Sequence, residues 1–191
     1  MIEASETAKL PTRYGDFTIQ AFRDSQGFEH MAAYMGDVSG EAVPVRIHSQ
    51  CLTGDTLYSL KCDCGGQLEE ALKFIGENRR GVLVYLAQEG RGIGLFNKIN
   101  AYNLQDNGAD TVDANNKLGF PADMRDYKIA GDILDFLGVK SVRLLTNNRD
   151  KITSLRESSI QVVDRIPLRP KPNIHNEKYL KTKIDRLNHI P

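Results

Sequence analysis

Apolar residues recur at two spacings along the chain, and the two spacings predict alternating strands and helices. The continuous apolar run 81–87 predicts a buried central strand, whereas Leu68, Ala71, Leu72 and Ile75 fall at helical spacing. Strands are predicted over 16–22, 30–35, 43–47, 81–87, 141–146 and 160–166, and helices over 67–77, 94–107, 127–137, 150–158 and 176–187. Gly108 and Gly138 are expected to end two of these helices. The fold class is therefore α/β, a single domain whose mixed β-sheet is flanked by helices.

The end of the chain differs from the rest in composition. From Arg165 to Pro191 there are seven Lys or Arg residues and two acids, a pattern typical of a solvated basic helix. We predict one domain over residues 1–191, with a core at about 10–168 and a basic C-terminal tail over 169–191. The space before Leu10 is too short for a further fused domain, so we expect a single activity.

Net charge and hydropathy exclude two classes of partner. Lys plus Arg and Asp plus Glu each number 25, so the protein has no overall field that would attract nucleic acid. No apolar run approaches the ~20 residues that a membrane-spanning helix needs. The first residues lack the basic and apolar regions of a secretory signal, and we expect a cytoplasmic protein.

All three cysteines of the chain, Cys51, Cys62 and Cys64, lie within fourteen residues. An odd and clustered set cannot form a disulfide framework, whereas three thiolates and one open position are typical of catalytic zinc. Cys62 and Cys64 would point the same way from an extended segment, and Cys51 would return across a loop over 53–55. Two alternatives stay open: a closed structural site completed by His48, and three unconnected buried thiols.

Three further polar segments are candidates for ligand binding. The glycine-rich segment 88–94 follows the buried strand and precedes a helix, where backbone N–H groups and Arg91 can contact phosphate oxygens. Segment 110–127 is a long polar connection, either functional or a solvated linker with a cap at Asp123 or Asp126. Segment 144–151 ends a strand with polar groups, or is simply a helix start capped by Asn148 or Asp150.

Taken together, these segments resemble GTP cyclohydrolase II, a family of zinc enzymes in riboflavin biosynthesis. The likeness runs from about Leu10 to Leu187 in the same order. The matching stretches are 46–55, 61–65, 88–95, 97–98, 101–102, 110–112, 123–125 and 144–148. Several long motifs in register are more specific than any one of them.

The resemblance implies a reaction and its cofactors. GTP would lose C8 of its base as formate and its outer phosphates as pyrophosphate, leaving a diaminopyrimidinone ribosylamine 5′-phosphate, in the first committed step of the pathway. One zinc ion per chain would be held by the three cysteines, and His48 would not be a ligand. Water acidified by the zinc would attack C8. Mg²⁺ would accompany the triphosphate, and the enzyme would be a homodimer.

The resemblance also implies roles for individual residues. Tyr102 would act near the base during ring opening, Asp123 would accept a proton, and Arg125 would be a nucleophile at the α-phosphate. Since a guanidinium stays protonated, the residue type itself favours phosphate stabilisation by Arg125. Glu89 would accept the guanine N1–H and amino protons. The residues implied in GTP binding are Arg46, Ile47, His48, Ser49, Gln50, Gln67, Glu89, Gly90, Arg91, Thr111, Thr146 and Lys151.

The chain departs from the family pattern beside the first cysteine. Gln50 stands where a glutamate is usual, Lys61 stands where an arginine is usual, and segment 169–175 is atypical. Because the three cysteines, Tyr102, Asp123 and Arg125 are present, we expect a working hydrolase of cyclic amidine C–N bonds, slower than its relatives. The alternatives are a paralogue that binds GTP and zinc without turnover, and an enzyme that releases a formylated product.

Overall fold

A mixed eight-stranded sheet dominates the first of two compact units into which the chain divides. The structure is a computed structural model that describes residues 2–169 and 171–190. The first unit comprises the segments through His48, Leu68–Ala87 and Asp126–Leu168. The second comprises Ser49–Gln67, Gln88–Arg125 and the segment from Arg169 onwards.

The sheet combines an antiparallel part with a parallel part. Its strands are β1 (Glu3–Ala4), β2 (Ala8–Thr12), β3 (Gly15–Arg23), β4 (Glu29–Met35), β5 (Val43–Ser49), β6 (Gly81–Leu86), β7 (Ser141–Leu145) and β8 (Gln161–Ile166). Their order is β1-β3-β4-β6-β5-β7-β8, with β2 paired to β3. Strands β3, β4 and β6 pair antiparallel, and β5, β7 and β8 pair parallel. The predicted mixed sheet is confirmed, and the apolar run 81–86 forms a central strand.

Helices cover both faces of the sheet, because neighbouring residues of a strand point to opposite faces. On β4, Ala32 packs in the larger apolar core with Ile133 and Leu155, whereas Ala33 packs in a second core with Ile75. The helices are α1 (Leu52–Asp55), α2 (Cys64–Asn78), α3 (Gly94–Asp106), α4 (Thr111–Lys117), α5 (Lys128–Phe136), α6 (Arg149–Arg156) and α7 (Glu177–Arg186). This arrangement confirms the predicted α/β class.

Short elements account for the differences between prediction and structure. The pattern predicted the six longer strands and five longer helices to within a few residues, but not β1, β2, α1 or α4. Strand β2 is almost entirely exposed and lacks the alternation that marks a strand. The polar connection 110–127 contains helix α4, whose N-cap Asp110 accepts hydrogen bonds from the backbone N–H groups of Val112 and Asp113. The long polar connection is therefore partly helical, which the sequence pattern did not predict.

The C-terminal helix α7 is present, but it is not solvated on all sides. Lys183 is buried and forms an ion pair with Asp63, the residue between Cys62 and Cys64. Arg186 pairs with Asp110 and Asp113 at the start of α4. The prediction of a solvated basic helix was thus wrong for the face that carries Lys183. Within the described ranges, every helix is too short or too polar to cross a membrane.

Candidate active site

Three sulfur atoms converge in the second unit. Cys51 is the N-cap of α1, Cys64 is the first residue of α2, and the ligand atoms of Cys51, Cys62 and Cys64 lie within 4.8 Å of one another. The Sγ atoms of Cys51 and Cys62 are 3.8 Å apart. Zinc–sulfur bonds of about 2.3 Å in a tetrahedron place two sulfurs about 3.8 Å apart. The residues therefore fit a zinc ion in both chemistry and spacing, and the alternative of three unconnected thiols was wrong.

Gly54 makes this close approach of the sulfurs possible. A Cβ atom at position 54 would lie 2.8 Å from the Cys62 sulfur and 3.2 Å from the Cys51 sulfur. The predicted loop over 53–55 is instead the helical turn α1, closed by a bond from the Asp55 N–H to the Cys51 carbonyl. The segment from Cys62 to Cys64 is not extended either, since Cys64 begins a helix. Helical turns, rather than a strand, thus bring the thiols together.

Hydrogen bonds among the three thiols shift their pKa values in opposite directions. Bonds from Cys62 and Cys64 lower the pKa of Cys51 strongly. The bond to Cys51 raises the pKa of Cys62 to about 11, and bonds to Cys51 and Cys62 raise the pKa of Cys64 well above its usual value. The cluster therefore behaves as a single set of sulfurs that shares its protons, which a bound metal ion would replace.

A buried lysine contacts this cluster. The Nζ atom of Lys98 on α3 lies 3.2 Å from the Cys51 sulfur and 2.7 Å from Oε1 of Glu89. Glu89 also accepts bonds from the backbone N–H groups of Leu52 and Gly90, at 2.6 and 2.7 Å. Burial alone would lower the pKa of Lys98, but the bond to Glu89 and the charge of Cys51 outweigh it and raise the pKa. A cation is thus fixed beside the sulfur.

Tyr102 lies on the same side of α3, one turn after Lys98. Its hydroxyl is 3.2 Å from the hydroxyl of Thr53 on α1, and the Lys98 ammonium is 5.7 Å from its ring centre. Burial raises the pKa of the Tyr102 phenol above its usual value. The phenol is therefore protonated at neutral pH and can donate a hydrogen bond or a proton.

Asp123 and Arg125 form a bidentate ion pair. The Arg125 Nε lies 2.8 and 3.1 Å from the two carboxylate oxygens of Asp123, and its terminal nitrogen makes a further short bond. Burial would raise the pKa of Asp123, but the hydrogen bond and charge of Arg125 outweigh it and lower the pKa. Asp123 is consequently ionised, and its carboxylate is paired with the positively charged Arg125 guanidinium.

The glycine-rich segment forms a 3₁₀ turn over Glu89–Gly92 before α3 begins at Gly94. Arg91 has φ 60°, a left-handed conformation that is strained for a residue with a side chain. The Met124 N–H donates to the Arg91 carbonyl at 3.0 Å, and the guanidinium lies 5.6 Å from the ring centre of Tyr179 on α7. The predicted turn before a helix is confirmed. The backbone of Arg91 is bonded to Met124, and its guanidinium lies against the ring of Tyr179.

Asp63, between two of the cysteines, is a buried carboxylate with two side-chain partners. It accepts a bond of 2.6 Å from Gln67 on α2 and one from Lys183 on α7. Burial would raise the pKa of Asp63, but the charge and the hydrogen bond of Lys183 outweigh it and lower the pKa. The loop that carries Cys62 and Cys64 is thus attached to the C-terminal helix.

Five of the residues predicted to bind GTP belong to the first unit. Arg46 donates to the Leu145 carbonyl at 3.0 Å, and Lys151 donates to the Ile47 carbonyl at 2.9 Å. His48 stacks on the ring of Tyr85, with ring centres 5.4 Å apart, and is not among the residues of the metal cluster. The hypothesis of His48 as a fourth ligand therefore has no support in the site.

Thr146 is buried at the end of β7 and accepts a bond from the N–H of Asn148. Asn148, not Asp150, caps helix α6.

The sequence is similar to one family of proteins over most of its length. The sequence model of GTP cyclohydrolase II matches residues 3–167. A GTP cyclohydrolase-2 of Neisseria meningitidis is 54% identical over 185 residues, which cover 96% of this chain and 94% of that protein. The chain belongs to the GTP cyclohydrolase II family.

Other relatives agree with this assignment. A GTP cyclohydrolase-2 of Pseudomonas putida is 55% identical over 185 residues, covering 96% of this chain and 90% of that protein. A riboflavin biosynthesis protein of Vibrio vulnificus is 52% identical over 192 residues, which cover all of this chain and 52% of that protein. The family that the motifs resemble is therefore confirmed.

Within this GTP cyclohydrolase II chain, the second unit holds the three cysteines together with Tyr102, Asp123 and Arg125. The predicted nucleotide residues of this unit are Ser49, Gln50, Gln67, Glu89, Gly90, Arg91 and Thr111. Ser49 donates to the side chain of Gln88 at 3.4 Å, and Thr111 is the first residue of α4. The roles of these residues in catalysis and in GTP binding stay predictions.

Sequence reasoning assigned no role to Lys98, nor to the pair Asp63–Lys183. A signal for Lys98 was available, because it lies four residues before Tyr102 and therefore on the same face of the predicted helix. The Asp63–Lys183 pair joins residues that are 120 positions apart, a separation at which one sequence shows no pairing.

Proposed function

We propose that the protein is a GTP cyclohydrolase II that hydrolyses GTP to a diaminopyrimidinone ribosylamine 5′-phosphate, formate and pyrophosphate. The observation that carries the proposal is the convergence of three cysteine sulfurs, beside Lys98 and Tyr102, in a chain of this family. The relatives named GTP cyclohydrolase-2 and riboflavin biosynthesis protein support a role in riboflavin synthesis.

The metal of the proposed enzyme is zinc, one ion per chain, held by Cys51, Cys62 and Cys64. The donor set supports this choice, since thiolates favour zinc and three ligands leave a position open. When bound, zinc supplies Lewis-acid chemistry that makes water a nucleophile at neutral pH.

Side chains of the second unit would handle the protons of the reaction. The protonated phenol of Tyr102, next to Thr53, would donate to the base as its ring opens. Asp123, whose pKa is lowered, would accept a proton in its ionised form. Arg125 would stabilise phosphate charge, because its guanidinium is held in a bidentate pair and stays protonated.

Glu89 would select guanine. Its buried carboxylate accepts three hydrogen bonds, and a carboxylate has about four acceptor positions. One further donor can therefore be accepted, not the two that the resemblance implies. The guanine N1–H can be that donor, whereas adenine offers no proton at that position. Mg²⁺ would accompany the triphosphate, since it prefers phosphate oxygens. The homodimer and the cytoplasmic location stay predictions of the sequence.

The experiment that tests the proposal starts from zinc-loaded protein, GTP and Mg²⁺. Formate and pyrophosphate would be quantified, and the nucleotide product identified by mass spectrometry. We expect equal amounts of formate and pyrophosphate and a deformylated product. Tyr102→Phe should reduce formate release strongly, while Tyr58→Phe, at an exposed tyrosine, serves as the matched control. Intact GTP after incubation with fully loaded protein would overturn the proposal.

A second candidate is a paralogue that binds GTP and zinc without turnover, and Gln50 is the observation that favours it. A Gln50→Glu variant would place a carboxylate next to Cys51. If the unchanged chain binds GTP without releasing formate and the variant releases it, the second candidate is the better one. Gln26→Glu, at an exposed position, controls for the added charge.

A further inference from the structure

Lys98 carries a positive charge in an unusual place. It is 7% exposed, although lysine side chains usually lie at the surface, and neither the motifs nor the proposed reaction assigns it a role. A buried charge is stabilised by pairing and hydrogen bonding. Lys98 has both, because its ammonium group lies between the Cys51 sulfur and the Glu89 carboxylate, at 3.2 and 2.7 Å.

The contact with the Cys51 sulfur gives this cation a function. Three thiolates and one divalent ion leave one excess negative charge, in a place where Cys51 and Cys62 are buried. The Lys98 ammonium is already paired with the Glu89 carboxylate, so the pair adds no net charge, and Lys98 acts on the buried cluster as a hydrogen-bond donor to the Cys51 sulfur. The hydrogen bond also fixes the direction of the sulfur, as partners beyond the ligands do in other metal sites.

We propose that Lys98 is a positioning residue of the metal centre, which holds the Cys51 sulfur in place by donating a hydrogen bond to it. The inference rests on the proposed zinc site and adds a residue to it. Glu89 fixes Lys98 in turn, since its two oxygens are themselves held by the N–H groups of Leu52 and Gly90. Substrate need not contact Lys98 for this role.

The primary test measures zinc affinity by competition with a chromogenic chelator. Lys98→Met removes the charge and keeps a flexible side chain, and we expect about 10- to 100-fold weaker zinc binding, as for other partners of metal ligands. Lys61→Met is the matched control: Lys61 also lies near the Tyr102 ring, at 5.1 Å, but pairs with Asp106 and is partly exposed. It should keep the affinity of the unchanged protein.

A double variant separates positioning from folding. Lys98→Met alone leaves Glu89 buried without its cation, which could disturb the fold, so Lys98→Met combined with Glu89→Gln removes both charges. We expect the double variant to regain thermal stability and to bind zinc as weakly as the single variant. Recovery of full zinc affinity in the double variant would overturn the proposal.

Cobalt substitution gives a readout that does not depend on turnover. A hydrogen bond lowers the energy of the sulfur lone pair, so its loss should move the sulfur-to-cobalt charge-transfer band of Lys98→Met to longer wavelength. Lys61→Met should show no shift. An unchanged band and unchanged zinc affinity in Lys98→Met would overturn the inference and leave the proposed function standing. Failure of the unchanged protein to bind zinc would count against the proposed site itself.

Discussion

At the scale of single residues, the side chains predicted to act on GTP are already held by neighbours. Asp123 and Arg125 bind each other, Glu89 has three donors, and Tyr102 contacts Thr53. Such contacts fix orientation before substrate arrives, which lowers the cost of reaching the reactive arrangement. A substitution should therefore act through lost geometry as well as lost chemistry.

Arg125→Lys tests this at the ion pair. Lysine keeps the charge but cannot form the two-pronged contact with Asp123, because its ammonium is a point donor. Loss of a charge-assisted hydrogen bond of about 1.5–3 kcal/mol corresponds to a fall of about 10- to 150-fold in kcat/KM. Formate and pyrophosphate release would be measured separately.

The control for this variant is Arg23→Lys, which removes a comparable contact from an exposed arginine paired with Glu3 and Glu29. Arg23→Lys should leave turnover unchanged. Full activity of Arg125→Lys would show that the two-pronged contact is not required.

At the scale of elements, helix α1 positions Cys51 close to the other two cysteines. Gly54→Ala would place a methyl group 2.8 Å from the Cys62 sulfur and 3.1 Å from the Cys64 Cβ, so the cluster must open. We expect at least about 10-fold weaker zinc binding and, by analogy with overpacked cores, a loss of about 1–3 kcal/mol in the free energy of unfolding. Chelator competition and thermal unfolding would measure the two quantities.

Gly131→Ala is the matched substitution. Gly131 lies on α5 in the first unit, and the added methyl group would lie 3.0 Å from the Ser158 side chain. This variant should therefore lower the free energy of unfolding without changing zinc affinity. Equal zinc affinity in the two variants would contradict the role given to Gly54.

Helix α4 gives a prediction for pH. The hydrogen bonds of Asp110 to backbone N–H groups and Arg186 outweigh its partial burial, so the pKa of Asp110 is lowered in the folded chain. A carboxylate with a lowered pKa contributes stability that is full above its unfolded pKa of about 3.9 and is lost as pH falls through the folded value. Unfolding free energy measured from pH 6 down to pH 2 should therefore fall more steeply than in Asp110→Asn.

Asparagine is the suitable comparison because it can still cap the helix but carries no charge. At neutral pH the variant should be less stable by about 0.5–1 kcal/mol, since the ion pair with Arg186 lies partly in solvent. Parallel pH curves for the two proteins would show that Asp110 does not contribute to acid sensitivity.

At the scale of the whole molecule, the sequence predicted the longer elements well because their apolar residues repeat over several turns or along a full strand. The apolar run 81–87 predicted a buried strand, which the structure confirms as β6, whereas β2 is too exposed to show a pattern. The cysteine cluster was predictable because the three cysteines lie within fourteen residues of the sequence. The Asp63–Lys183 pair was not, since its partners meet only when the chain has folded.

Removal of the proposed zinc ion would show how the stability of each unit depends on it. The three cysteines, Lys98 and the helices α1 and α3 all belong to the second unit, and the sheet belongs to the first. Chelation of zinc-loaded protein should therefore speed amide exchange over residues 51–67 and 88–106 by at least about 10-fold, or about 1.4 kcal/mol of local opening free energy. The amide exchange of β4 and β6 should not change, because their hydrogen bonds lie within the sheet.

Addition of zinc to the chelated protein should restore the protection from exchange, and protein that was never loaded with zinc provides the reference. Equal acceleration in β4 and β6 would mean that the metal stabilises both units as one cooperative structure.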